Sequence, residues 1–255
     1  MKKKGTWILL FIGILVLGCK NKNKAVNEPI ADEKSYLKIV FEDSEEYQFS
    51  TAEKELIKKT AILSDQEIRN LLPSLTKNLT LTVIPVGYDL DIVGGVTGRS
   101  NTPHEVTAEI SYLYKDGVSG AVKRTLSGHM YHEFHHVWRG WTLSKNQFEK
   151  GISIAAVNEG LADVFSKTYT GVSLEIGNPS DDIRGWTQEV LELPKDANYN
   201  QWMNLHDDGR MAIGYRVGTF IVVFALKNSK MTILELSKLQ PKEILKISGL
   251  DEKNK

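Results

Sequence analysis

His129-Met130-Tyr131-His132-Glu133-Phe134-His135-His136-Val137-Trp138-Arg139 is the stretch on which the reading of the chain turns. It ends a run from Ala121 to Arg139 whose apolar residues recur at helical spacing, and Gly140 stops that run. Residues four apart on a helix share a face, so His132 and His136 can offer their imidazoles to one metal ion. Glu133 leaves the helix ~100° round from His132 and can stand beside a water held by that ion. His135 could pair with His132 at a spacing of three, but Glu133 would then have no purpose, and it reads as a surface or packing histidine. His129 continues the face of His132 and His136. Seven residues rise ~10.5 Å, too far for all three to reach one ion, so it reads as a supporting residue.

The five-residue pattern alone arises by chance, and its context gives it weight. The next helix is expected to open at Ser144, with Gln147 completing a capping box. It should run to about Tyr169, where Gly171 closes it. That helix carries Asn158-Glu159-Gly160-Leu161-Ala162-Asp163. A catalytic zinc commonly takes three protein ligands and keeps one position open, and Glu159 supplies the missing third. Asp163, one turn on, can accept a hydrogen bond from the non-ligating nitrogen of a histidine ligand. Both acids lie among Ala155, Ala156, Val157, Leu161 and Val164, where a charge needs a partner.

The two motifs together resemble the gluzincin, or thermolysin-like, class of zinc metallopeptidases. With Gly214-Tyr215-Arg216-Val217-Gly218 added, the chain more closely resembles a bacterial family of predicted zinc-dependent proteases catalogued as a domain of unknown function, over roughly Leu79 to Ser248. The resemblance implies a zincin-like α+β fold and one catalytic zinc ion on His132, His136 and Glu159. It also implies Glu133 as general base, Asp163 orienting the first histidine, and a peptide or protein substrate. One departure stands out: thermolysin-like enzymes place a tyrosine between the second histidine and the glutamate ligand, whereas this chain has Trp138, Trp141 and Phe148 there. The oxyanion donor is then expected from Tyr215 or His206. Each also has a bland reading, Tyr215 as a packed helix residue and His206 as a loop histidine beside Asp207 and Asp208.

Two other classes compete: a non-catalytic metal-binding or adhesion lipoprotein, and a zinc hydrolase of a non-peptide substrate. The intact Glu133 argues against the first. No Gly-x-Met-Glu-Asn-like segment is present to anchor a free amine, which disfavours an aminopeptidase subtype.

Outward from the motif, the pattern predicts a small mixed sheet backing the metal helix, then a mostly helical C-terminal part. Lys54 to Leu72 reads as a helix, and Leu79 to Val86 and Val106 to Tyr114 as strands. Gly94, Gly95 and Gly98 read as turns at the lip of the cleft. An extended substrate is expected along the edge of the strand from Val106 to Leu113. Further helices are expected at Asp182 to Leu193, Asp208 to Lys227 and Ile233 to Leu239.

At the N-terminus, Lys2, Lys3 and Lys4 precede an apolar run from Trp7 to Leu17. That run is shorter than the ~20 residues a membrane span needs and suits a secretory signal. Val16-Leu17-Gly18-Cys19 resembles the lipobox of bacterial lipoproteins, with Cys19 lipidated. Residues 1–18 are therefore expected to be a signal peptide, 19–33 a lipidated N-terminus and flexible tether, and 34–255 the peptidase domain. This implies an exported protein anchored by its lipid to a bacterial membrane, on the periplasmic side or cell surface. Cys19 is the only cysteine, and with it taken by lipid neither a disulfide nor a cysteine-held metal is expected. The 32 basic and 32 acidic residues balance to a formal net charge of +0, with no basic run in the body, so nucleic acid is not an expected partner.

Overall fold

A computed structural model describes residues 36–250. The expected signal peptide, Cys19 and the expected tether fall outside the described residues. The fold is α+β. Strands β1 (Leu37–Phe41), β2 (Leu79–Val86), β3 (Val96–Thr102) and β4 (Glu105–Ser111) form one sheet in the order β1-β2-β4-β3. β1 and β4 flank β2 in parallel, and β3 pairs antiparallel with β4. β2 alternates as the sequence suggests, with Leu79, Leu81 and Val83 buried and the residues between them half-buried. Two expectations about this sheet are corrected. Gly98 lies inside a strand, β3, rather than in a turn. Thr97 to Thr102 carries no apolar side chain, and an edge strand with few side chains to bury leaves little periodicity to read. β4 is interior, so the edge open to a substrate belongs to β3 and not to the strand from Val106.

Helix α1 (Thr51–Leu71) opens with a capping box between Ser50 and Glu53 and buries Ile57, Ala61 and Ile68. The metal-motif helix is continuous from Gly117 to Arg139. Its first part is α2 (Gly117–Ala121), its middle a π-helical turn (Val122–Leu126), and its last part α3 (Ser127–Arg139), ended by left-handed Gly140 at φ 74°. Phe134 of this helix is fully buried.

Helix α4 spans Ile152–Thr170 and is followed by left-handed Gly171. Its start corrects the expected capping box. The Ser144 N–H donates to the Asn101 carbonyl (2.9 Å) and Gln147 Nε2 to the Arg139 carbonyl (2.5 Å), so neither caps a helix. Residues 141–151 form a loop instead, pinched by a bridge between Trp141 and Asn146.

Helices α5 (Ile183–Glu192), α6 (Tyr199–Met203), α7 (Ile213–Ser229), α8 (Ile233–Leu236) and α9 (Pro241–Ser248) complete the fold. α7 starts later than Asp208 because residues 205–211 turn back on themselves through a Leu205–Met211 bridge. α4 and α7 touch backbone to backbone: a Cβ on Gly160 would lie 2.1 Å from the carbonyl carbon of Gly218, and one on Gly218 1.8 Å from the Ala156 oxygen. This close approach gives a physical role to the second glycine of the Gly214 to Gly218 segment.

Arg139 is buried without a carboxylate partner among the described residues. Its Nε donates to Asn158 Oδ1 (2.7 Å), Nη2 to the Leu239 carbonyl (2.8 Å) and Nη1 to the Ser237 carbonyl, and its guanidinium lies over the Phe148 ring. Burial lowers its pKa to about 10. The end of α3 is thereby tied to α4 and to the segment between α8 and α9.

Candidate metal centre and cleft

Helices α3 and α4 bring three donor atoms to one point. His132 Nε2 and His136 Nε2 lie 2.9 Å apart, and Glu159 Oε2 lies 3.1 Å from each. All three residues are held by helix interiors, and Glu159 and His136 are buried. This set fits a zinc ion. Bonds of ~2.0–2.1 Å in a tetrahedron place neighbouring donors ~3.3 Å apart, so a few tenths of an ångström of relaxation seats the ion. Two imidazole nitrogens and a carboxylate oxygen converging in a buried pocket also lack enough protons to satisfy one another, and a shared cation resolves that.

The neighbours of the three fix their orientation. His132 Nδ1 lies 2.9 Å from Asp163 Oδ1. Burial disfavours a charge on His132, but Asp163 and Glu159 outweigh it and hold its pKa well above the ordinary value. For Glu159, burial pushes the carboxyl up, yet His136 and His132 dominate and keep it well below the usual carboxylate range. The second oxygen of Glu159 accepts a hydrogen bond from Trp141 Nε1 at 2.9 Å. His136 Nδ1 is buried with no hydrogen-bond partner among the described residues.

Glu133 is 6% exposed and sits against β3. Ser100 Oγ lies within hydrogen-bond distance of both the Glu133 carbonyl (2.8 Å) and its Oε2 (2.9 Å). A Cβ on Gly98 would come within 2.7 Å of Glu133 Cγ, so the carboxylate approaches the strand only because residue 98 is glycine.

These groups open into a cavity of about 860 Å³ whose lining includes Gly98, Ser100, Glu133, His136, Glu159 and Tyr215. The Glu159 carboxylate, burial and the Tyr199 hydroxyl raise the Tyr215 pKa well above its ordinary value, so the phenol keeps its proton. Tyr199 lines the same cavity. His206 does not. Its Nδ1 pairs with Asp208 Oδ1 at 2.9 Å and its ring packs on Trp202.

Of the residues singled out from sequence, His132, Glu133, His136, Glu159, Asp163 and Tyr215 are brought together, and His206 is placed apart from the cleft. His135 is fully buried, with Nε2 2.9 Å from Ser237 Oγ. It is thus a core residue rather than a surface one. His129 Nε2 donates to the Val93 carbonyl (3.0 Å), and burial lowers its pKa to about 4. Sequence reasoning placed Gly98 in a turn at the cleft lip and named Trp141 without a role, and it missed Ser100 and Tyr199. Only Trp141 carried a signal, an indole one residue beyond the glycine that ends the histidine helix.

A family model described as Predicted Zn-dependent protease (DUF2268) matches residues 95–246, more than half of the chain. No curated protein and no solved structure matches it.

Proposed function

The chain belongs to the Predicted Zn-dependent protease (DUF2268) family, and on that premise we propose that it hydrolyses peptide bonds, with one zinc ion held by His132, His136 and Glu159 and with Glu133 as general base. The observation that carries this reading is the convergence of three ligand atoms within 3.1 Å of one another beside a carboxylate that binds none of them. When bound there, zinc supplies a Lewis acid for the substrate carbonyl and lowers the pKa of water toward ~7.

The protein's own groups do the rest. Glu133, held by Ser100, takes a proton from the attacking water and delivers it to the leaving amine. Tyr215 keeps its phenolic proton and donates a hydrogen bond to the oxygen that gains negative charge. Asp163 holds the proton of His132 on Nδ1, leaving Nε2 free as a ligand. Trp141 occupies one oxygen of Glu159, which turns the other toward the histidines.

A peptide is favoured over other hydrolysable substrates because β3 offers backbone hydrogen bonds along the cleft, the mode by which an extended chain is bound at a sheet edge. The proposed setting is outside the cytoplasm, with Cys19 lipidated and residues 19–33 tethering the domain to a bacterial membrane.

Two glutamate variants test the assignment. Glu133→Gln keeps the volume of the side chain but cannot take a proton, so it should hold about one zinc per chain while losing nearly all turnover. Glu159→Ala should lose zinc, and activity with it. Both are measured on protein dialysed against trace zinc, by mass spectrometry of the metal and by peptide digestion. Loss of zinc from Glu133→Gln with retention by Glu159→Ala would reverse the roles, and full activity of Glu133→Gln would exclude them.

A further inference from the structure

The free edge of β3 is short, and the chain itself stops it. Antiparallel pairs alternate between residues bonded across the ladder and residues whose backbone groups point away from it. The Ser111 N–H donates to the Gly95 carbonyl (2.9 Å), which fixes the phase: Thr97 and Arg99 bond toward β4, while Val96, Gly98 and Ser100 turn outward. The outward carbonyl of Ser100 is taken by the Leu143 N–H at 2.9 Å, and the next carbonyl, of Asn101, by the Ser144 N–H at 2.9 Å.

The loop that makes these bonds is braced from within. Trp141 bridges Asn146, Thr142 Oγ1 donates to the Lys145 carbonyl (2.8 Å), and the Trp141 N–H donates to the His136 carbonyl (2.9 Å). The Leu143 side chain, 76% exposed, is among the residues that line the cavity.

The position of this plug matters because of where Glu133 lies. The base rests against Gly98 and Ser100, just before and at the point where the loop takes over the edge. A strand advances ~3.3 Å per residue, so a substrate paired with β3 has room for about two residues between the level of Gly98 and the plug.

We propose that the loop Trp141 to Asn146 makes the cleft blind at one end, so that the enzyme cuts within about two residues of a peptide terminus and not in the interior of long chains. The proposal rests on the peptide-hydrolase reading above. It adds the substrate class: short peptides and chain ends.

The test maps cleavage sites by mass spectrometry. Zinc-loaded wild-type protein is given one core sequence either free at its ends or embedded in the middle of a longer peptide, with acetylated or amidated versions of each. Cuts confined to bonds near a terminus support the blind cleft, and the capped peptides show which terminus enters. A main cut in the middle of the embedded core overturns it. Binding gives a second readout independent of turnover. By calorimetry, Glu133→Gln protein should bind the short peptide at least ~10-fold more tightly than the embedded one, a difference of ~1.4 kcal/mol, and equal affinities overturn the proposal. If wild-type protein cuts no peptide, the hydrolase reading fails, and the binding comparison still decides whether the cleft is blind. In Leu143→Pro, which removes the N–H at Ser100, cuts should move inward. Should that variant not fold, the wild-type map decides alone.

Discussion

Replacing Gly218 with Ala adds one methyl group at the crossing of α4 and α7, and the structure gives the size of the conflict. The new carbon would lie 1.8 Å from the Ala156 oxygen and 3.1 Å from the Gly160 nitrogen. Ordinary contact needs ~3.5 Å, so the helices must separate by more than an ångström. Overpacking of this kind costs ~1–3 kcal/mol, and a rigid backbone on the far side places this case near ~3. Alanine returns up to ~1 kcal/mol through its better helix propensity. The net loss of ~2 kcal/mol should lower Tm by ~4–8 °C for a domain of this size. Glu159 adjoins Gly160 and Tyr215 lies one turn before Gly218, so the same separation should also weaken zinc binding. Thermal denaturation of the zinc-free protein and competition for zinc with a calibrated chelator measure the two effects. An unchanged Tm together with wild-type zinc affinity would refute the reasoning.

Trp141→Phe removes the hydrogen bond on Glu159 while keeping an aromatic ring, and zinc affinity should fall ~10–100-fold, read by chelator competition; wild-type affinity would show that Glu159 needs no such partner. Tyr215→Phe should lower kcat ~10²–10³-fold with little change in KM, as for a donor engaged in the transition state. A wild-type kcat would make Tyr215 a packing residue. Cys19→Ser should move the protein from the membrane to the soluble fraction, since acyl chains contribute ~0.8 kcal/mol per buried methylene, and unchanged partitioning of the processed variant would remove the lipid anchor from the account.

The converging donor atoms were legible because both motifs obey the same rule: residues a turn apart on a helix share a face, and that rule survives any error about where the helix begins. Thus Glu159 and Asp163 both come against His132, as the spacing suggests, although the helix opens at Ile152 rather than Ser144. Ser144 and Gln147 have the right chemistry for a cap, but their hydrogen-bonding groups go to Asn101 and Arg139, far along the chain or outside the helix. β3 was missed for a related reason. Its partners are the backbone of β4 and the carboxylate of Glu133, and neither leaves a pattern in the residues 97–102 themselves. Trp141 and Ser100 act through contacts that exist only after α3, α4 and the sheet have met.

The guanidinium of Arg139 sets a timetable for the molecule. Its acceptor at Leu239 lies 100 residues further along the chain. At ~5–20 residues per second of synthesis, ~5–20 s pass between the emergence of the histidine helix and that of the carbonyls that cradle its last residue. Through that interval the guanidinium has Asn158 of α4 to bond, while the carbonyls of Ser237 and Leu239 that complete its set do not yet exist. Tyr215 follows the histidines by some eighty residues. A ribosome carrying this chain therefore holds a histidine helix whose last side chain is only partly bonded until Leu239 is made, and a chain cut short before Ser237 would leave it so.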